Sequence, residues 1–267
     1  DREQIVTDMV GRTIDEYYPA RTTIPGEEVF RVEHFTQPGV FKDISFNLRK
    51  GEILGVSGLM GAGRTEIMRA IFGVDPHESG KLFWHGREIH INKPKDAIDY
   101  GFGFVTENRK TEGLVLDSSI ANNIALPSDS RLAHHFWING KEEFTFAQKL
   151  AIALGVKAQD IHLPVGTLSG GNQQKVVIAK WLGMDPQLII LDEPTRGIDV
   201  GAKKDIYDLM NKLTEHGVSI IMVSSELPEV LGMSDRIMVI HEGTVAGILE
   251  SQGATQESVI TLATGGK

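Results

Sequence analysis

The chain has 267 residues, 41% of them hydrophobic and 24% charged, enough to bury a core as one large domain or two small ones. A formal net charge of −9 argues against a broad basic face for nucleic acid, and the absence of cysteine excludes disulfides and thiolate metal sites. No apolar run approaches about 18 residues, so neither a membrane-spanning helix nor a signal peptide is expected, and any action at a membrane would be peripheral.

Residues 1–10 read as the end of a helix stopped at Gly11, followed by the irregular Tyr17-Tyr18-Pro19 and Ile24-Pro25-Gly26. Two readings stay open here: an ordinary flexible N-terminus, or a lead-in cut from something longer. Residues 29–35 alternate, with Val29, Arg31, Glu33 and Phe35 against Phe30, Val32 and His34. Gln37-Pro38-Gly39 turns the chain into residues 41–48, where Ile44, Phe46 and Leu48 share a face, so antiparallel strands are expected. Lys50-Gly51-Glu52 then leads into a short apolar strand, residues 53–56.

Next comes Ser57-Gly58-Leu59-Met60-Gly61-Ala62-Gly63-Arg64-Thr65-Glu66. Ile67, Met68, Ile71 and Phe72 follow at helical spacing, and Gly73 stops that helix. Strand, glycine-rich turn and helix form a setting in which backbone N–H groups and a helix N-terminus cradle phosphate. The glycines let the chain close around an anion where a Cβ would clash. The spacing is that of a Walker A motif, with Arg64 at the lysine position and Thr65 where a hydroxyl would reach Mg²⁺.

Further on, residues 81–90 predict a hairpin turning at His85-Gly86-Arg87, and residues 102–105 a short strand entering the polar Thr106-Glu107-Asn108-Arg109. Residues 114–163 have helical texture, including 142–154. Leu168-Ser169-Gly170-Gly171-Asn172-Gln173-Gln174 leads into a helix over 175–182, stopped at Gly183. Residues 188–191 are a continuous apolar run ending in Asp192-Glu193-Pro194, as in a buried parallel strand with acids at its end. An amphipathic helix over 200–216 carries Ile206, Leu209, Met210 and Leu213, and the buried strand 218–223 ends at Ser224-Ser225-Glu226. A last hairpin joins residues 236–240 and 244–249. Alternating buried strands and helices predict an α/β core with a mainly parallel sheet.

Asp192 is placed to bind Mg²⁺ or its water, as a Walker B aspartate does, and Glu193 to polarise an attacking water as the catalytic residue. The bland alternative is a solvated acidic turn. The order of the two motifs favours the chemistry. Ser169-Gly170-Gly171 is a turn when taken alone. Opening a helix just ahead of the acidic strand, it is a second anion-binding helix end.

Taken together, residues 168–173 resemble the signature sequence of ATP-binding-cassette (ABC) ATPases, and the likeness extends from about Glu27 to the end. The resemblance implies a P-loop NTPase core with a mainly parallel sheet, an antiparallel β subdomain, and a helical subdomain over about residues 110–182. It puts Glu107 on the Q-loop, Gly197-Ile198-Asp199 on the D-loop and Ser225 at the switch position. Phe35 falls near where the family stacks an aromatic on adenine; as a plain strand residue it would sit in the core. ATP and Mg²⁺ are the implied cofactors, with Thr65 and Asp192 toward the metal. The family works as head-to-tail pairs, in which Leu168, Ser169, Gly170, Gly171, Asn172 and Gln173 would complete a partner's site.

Three positions depart from the family pattern: Arg64 for lysine, Glu107 for glutamine and Ser225 for histidine. A planar guanidinium does not fit a pocket as an ammonium does, and a serine hydroxyl is shorter than imidazole. A site that binds nucleotide with little or no turnover is therefore expected. The run from Gly51 to Glu66, with residues 106–110 and 168–181, resembles the second cassette of bacterial sugar-import ATPases of the ribose and galactose type. Residues 9–19 are similar to the linker between the two cassettes, so 1–26 is expected to be linker and 27–267 the cassette. Implied partners are an N-terminal cassette in the same polypeptide, membrane permease subunits and, indirectly, a periplasmic sugar-binding protein, at the cytoplasmic face of the cell membrane and without nucleic acid. A regulatory or structural pseudo-ATPase module, and an ABC-type ATPase of nucleic-acid metabolism, are the alternatives. The nine histidines show no metal-ligand spacing, and Trp84, Trp137 and Trp181 are expected to pack in the core.

Overall fold

The structure, a computed structural model, describes residues 18–128, 133–134 and 137–266, with side chains except at 133–134 and 137–138. The linker expected before Tyr18 and the packing expected of Trp137 lie outside that description.

An antiparallel sheet of order β2-β1-β4-β5 comprises β1 (Glu28–Gln37), β2 (Phe41–Arg49), β4 (Ser79–Trp84) and β5 (Arg87–Ile89). The central sheet runs β12-β11-β3-β10-β9-β6. Its strands β3 (Ile53–Gly58), β6 (Phe102–Val105), β9 (Leu188–Asp192), β10 (Ser219–Val223) and β11 (Arg236–His241) are parallel, and β12 (Thr244–Glu250) closes one edge antiparallel. Both faces of this sheet are covered, which is why its strands read as unbroken apolar runs. Leu54, Val56, Ile190, Ile221 and Met238 join one core with the antiparallel sheet. Their neighbours Ile53, Ile189, Leu191, Ile220 and Ile237 join a second core beneath the helices. The expected mixed α/β architecture is present.

The helices are α1 (Arg64–Ile71), α2 (Pro94–Asp99), α3 (Ile120–Ala125), α4 (Gly140–Ala153), α5 (Gly170–Leu182), α6 (Val200–Glu215), α7 (Leu227–Met233) and α8 (Gln256–Ala263). Helices α3 and α4 pack on α5 and make up the region expected to be helical, which also holds a minimal hairpin, β7 (Ala133–His134) and β8 (Trp137–Ile138). Helix α5 starts at Gly170, five residues before the apolar stretch suggested. Three short helices, α2, α7 and α8, have too few turns to show a period and were not expected.

One strand differs from its expected pattern. His34 (φ 52°) and Asp43 (φ 55°) adopt left-handed backbone, face each other with Nδ1 and Oδ1 2.6 Å apart, and shift the β1–β2 register. This bulge returns Phe35 to the buried face of Phe30 and Val32, not to the opposite one.

Residues 18–26 are fastened to the domain. The Arg21 guanidinium donates to Asp235 (2.6 Å), Asn211 (2.9 Å), Thr214 (2.8 Å) and the Gly51 carbonyl (3.3 Å). Tyr18 covers Gly232, where a Cβ would fall 2.5 Å from its ring, and lies 5.3 Å from the Tyr207 ring.

Candidate functional site

Four parallel strands end along one edge of the central sheet, in the order β3, β10, β9, β6. In such sheets ligands bind outside the carboxyl ends of the strands. The segments leaving those ends are Gly58–Thr65, Ser224–Glu226, Asp192–Glu193 and Thr106–Arg109, so residues far apart in the chain converge at one mouth.

Gly58 (φ 156°), Gly61 (φ 79°) and Gly63 (φ 96°) shape the first segment. A Cβ on Gly58 would stand 2.4 Å from the Ile240 carbonyl oxygen, so the loop can follow β11 only without a side chain there. Helix α1 starts at Arg64 with Gly63 as its N-cap and no side chain capping it, which leaves its first N–H groups free for an anion. Ser57 and Ala62 are buried beneath the loop, Leu59, Met60, Gly61 and Glu66 are exposed, and Thr65 is half-buried.

Arg64 does not point along the loop. Its guanidinium donates to the Ser224 carbonyl at 2.9 Å and lies 3.9 Å from a Glu193 oxygen. Glu193 also accepts from the Ser225 hydroxyl at 3.1 Å and has left-handed backbone (φ 48°), a strained conformation for a residue with a side chain. Burial raises its pKa, against the pull of Ser225 and Arg64.

Asp192 is wholly buried, and neither carboxylate oxygen has a hydrogen-bond partner among the described residues. Burial pushes its pKa up to about 6; the nearby Thr65 hydroxyl and Arg64 oppose the shift and Glu193 adds to it. A buried, unpartnered carboxylate is costly when ionised and suits a hard cation, so Asp192 with the Thr65 hydroxyl fits Mg²⁺. The cost has a sign. Asp192 holds its proton more tightly folded than unfolded, so its penalty is full above about pH 6 and fades as pH falls toward about 4. Asp192→Asn should therefore stabilise the metal-free chain at pH 7.5 by about 3 kcal/mol, with the gain gone near pH 4. Thermal unfolding with chelator at both pH values checks this; equal destabilisation at both would contradict it.

Glu107 pairs with Arg196, on the loop leaving β9. Arg109 donates to the Arg196 (2.8 Å) and Gly197 (3.1 Å) carbonyls, tying the two exit loops together. The Ser169–Gly171 turn adjoins this junction: a Cβ on Gly170 would lie 2.7 Å from Arg109, and one on Gly171 2.5 Å from Ala202. Ser169 is exposed, and its hydroxyl accepts from the Asn172 amide (2.9 Å) without capping the backbone of α5. Leu168 is half-buried, and Gln173 turns inward to the Leu168 carbonyl.

Phe35 does not join the site. It is fully buried between Phe41 (5.6 Å, stacked) and His77 (4.4 Å), so neither ring face is open to a base. The half-exposed Val40 lies nearer the loop, its carbonyl 3.4 Å from where a Gly63 Cβ would be. Trp84 and Trp181 pack against the first core as expected.

Sequence reasoning missed Glu229 on α7. It is buried, accepts from Thr195 at 2.7 Å, and takes a short hydrogen bond from the Ser224 hydroxyl. Its helix is too short for a periodic signal; the one available hint was an acid one turn beyond Ser225.

A profile of the ABC transporter family matches residues 41–196. Among curated proteins, the chain is 56% identical over 267 residues to the ribose import ATP-binding protein RbsA of Bacillus licheniformis, covering 100% of this chain and 54% of that one. It is 58% identical over 263 residues to the same-named protein of Oceanobacillus iheyensis, covering 98% and 53%. The chain thus spans about half the length of the curated relatives it matches. Among solved structures, the ADP conformation of MJ1267, an ATP-binding cassette of an ABC transporter, superposes with a TM-score of 0.72 at 20% identity over 88% of this chain and 94% of that one. A nucleotide-free cassette from an ABC transporter gives 0.73 at 22% identity, over 88% and 94%. At that identity the likeness speaks for the fold.

Proposed function

The chain belongs to the ABC transporter family, and from that premise we propose that it is the C-terminal nucleotide-binding cassette of an importer for ribose or a related monosaccharide. It would bind ATP with Mg²⁺ and couple that binding to transport from the cytoplasmic face of the membrane. The observation that carries the nucleotide site is the buried, unpartnered Asp192 carboxylate beside the glycine cradle. The relatives' names support the sugar, and the likeness of residues 9–19 to an inter-cassette linker supports the second position. Residues 1–26 would then be linker and 27–267 the cassette.

In this reading residues 57–66 hold the phosphates through backbone N–H groups, with Thr65 and Asp192 toward the metal. Bound Mg²⁺ would neutralise charge on the phosphate oxygens. Glu193 would orient water, and the burial that raises its pKa makes it a stronger proton acceptor. Ser225 and Glu107 would line the site in place of the usual imidazole and amide. Leu168 to Gln173, at the start of α5, would complete a site on the N-terminal cassette through the exposed Ser169 and the half-buried Gly170 and Asn172, with Gly171 and Gln173 buried behind them. The permease would rest on the helical subdomain, where exposed Val115 and Leu126 rim a cleft of about 200 Å³. No helix of the described residues is long and apolar enough to cross a membrane, which fits a peripheral role.

Arg64 held by the Ser224 carbonyl and Glu193 favours low turnover, because both contacts compete with phosphate for the same guanidinium. We expect weak binding of a fluorescent ATP analogue and negligible steady-state hydrolysis by this chain alone. Brisk hydrolysis abolished by Glu193→Gln would refute the low-turnover reading; no nucleotide binding at all would refute the site.

A further inference from the structure

Behind the mouth of the sheet lies a closed ring of contacts. Glu229 accepts from the Thr195 hydroxyl at 2.7 Å and from the Ser224 hydroxyl, each on a different carboxylate oxygen. Thr195 is two residues past Glu193, and Ser224 immediately precedes Ser225. Ser225 closes the ring on Glu193 at 3.1 Å. The Ser224 hydroxyl also accepts from the Glu226 N–H at 3.0 Å, and its carbonyl takes Arg64. Glu229 is 1% exposed, so the carboxylate that bridges the two loops is shielded from bulk solvent. The Tyr207 hydroxyl adds a contact that favours its charged form.

We propose that Glu229 is a positioning residue: by holding Thr195 and Ser224 together it sets the spacing of Glu193 and Ser225, and so the site's preference for a nucleoside triphosphate over a diphosphate. This rests on the nucleotide-site reading above. Both hydroxyls donate to Glu229, so the bridge needs two acceptors from one residue. Glutamine offers one acceptor and one amide donor, so Glu229→Gln keeps the shape but replaces one charge-assisted hydrogen bond by a weaker neutral one, in which the hydroxyl must turn to accept. The loop held by the weakened link carries Ser225 or follows Glu193, the two side chains that line the site and orient water in the reading above. The cradle at Gly58–Thr65, which would hold the inner phosphates of both nucleotides through its backbone, meets the ring only through the Arg64 side chain, at the Ser224 carbonyl and toward Glu193.

The test uses the intact polypeptide carrying this chain and measures dissociation constants of Mg-ATP and Mg-ADP at this site by displacement of a fluorescent nucleotide. Glu229→Gln is expected to weaken Mg-ATP about 10-fold and leave Mg-ADP within about 2-fold, with Glu229→Asp intermediate. Combined with Ser225→Ala, the two changes should cost no more than the larger alone, because both act through one ring. Equal weakening of both nucleotides, no change in either, or additive effects with Ser225→Ala would overturn the proposal. If Glu229→Gln fails to fold, Thr195→Val removes a single link at constant volume and is read in the same way. If the unmutated protein binds neither nucleotide here, the reading beneath the proposal fails, and that result is distinct from all the others.

Discussion

The double variant Arg64→Lys, Ser225→His is expected to raise ATP turnover at this site by about 10–100-fold, and only when a second cassette presents its signature segment. Arg64 now spans from the start of α1 to the Ser224 carbonyl and toward Glu193. A lysine has one compact charge and cannot hold both contacts with a planar fork, so it is freer to meet the phosphates. Imidazole at position 225 would reach further than the serine hydroxyl and could donate toward a terminal phosphate while still engaging Glu193. Glu193 itself is already in place, buried and with a raised pKa. Phosphate release should be measured for the variant with and without the partner cassette. A rise that needs no partner would count against the shared-site picture; no rise with the partner would show that Glu107 or another group limits the chemistry.

A different part of the molecule governs stability. Glu52→Ala should destabilise the fold by about 3–5 kcal/mol, the cost of leaving a buried charge alone. Glu52 is fully buried and accepts two hydrogen bonds from Arg236, at 2.6 and 3.1 Å, and one from the Arg49 N–H at 2.6 Å. Arg236 also binds the Asn47 carbonyl and side chain, at 2.9 and 3.1 Å. The pair thus joins the turn that feeds β3 to the first residue of β11 and to the antiparallel sheet. Without the carboxylate the guanidinium stays buried with no opposite charge. In a chain of this size the melting temperature should fall by on the order of 10 °C. Replacing both residues with methionine should recover much of the loss, since the penalty comes from the unpaired charge more than from the missing attraction. A fall of under about 2 °C for Glu52→Ala would refute the assignment.

The strand register illustrates how local rules mislead by one residue. Alternation put Phe35 opposite Phe30 and Val32, and the family resemblance put its ring near adenine. The left-handed turn at His34 adds one residue to β1 and returns Phe35 to the core. No residue at position 34 announces this, because the bulge is stabilised by Asp43 on the neighbouring strand. The short helix α7 was hidden for a related reason. Its buried acid, Glu229, looks like a surface charge until Thr195 and Ser224 are seen to meet it.

By itself, the sequence determined the α/β class, the glycine cradle, the acid-ended strand and the Ser-Gly-Gly helix start. These are matters of local chemistry: glycine where a Cβ cannot fit, apolar runs where both sheet faces are covered, acids at a strand end. Only the tertiary structure decided where Arg64 points, that Glu107 is occupied by Arg196, and that Glu229 ties two exit loops into one ring. Those choices depend on which strands lie side by side. That order, β3 next to β10 next to β9, sets β3 beside a strand more than a hundred residues further along the chain, and no local pattern encodes it.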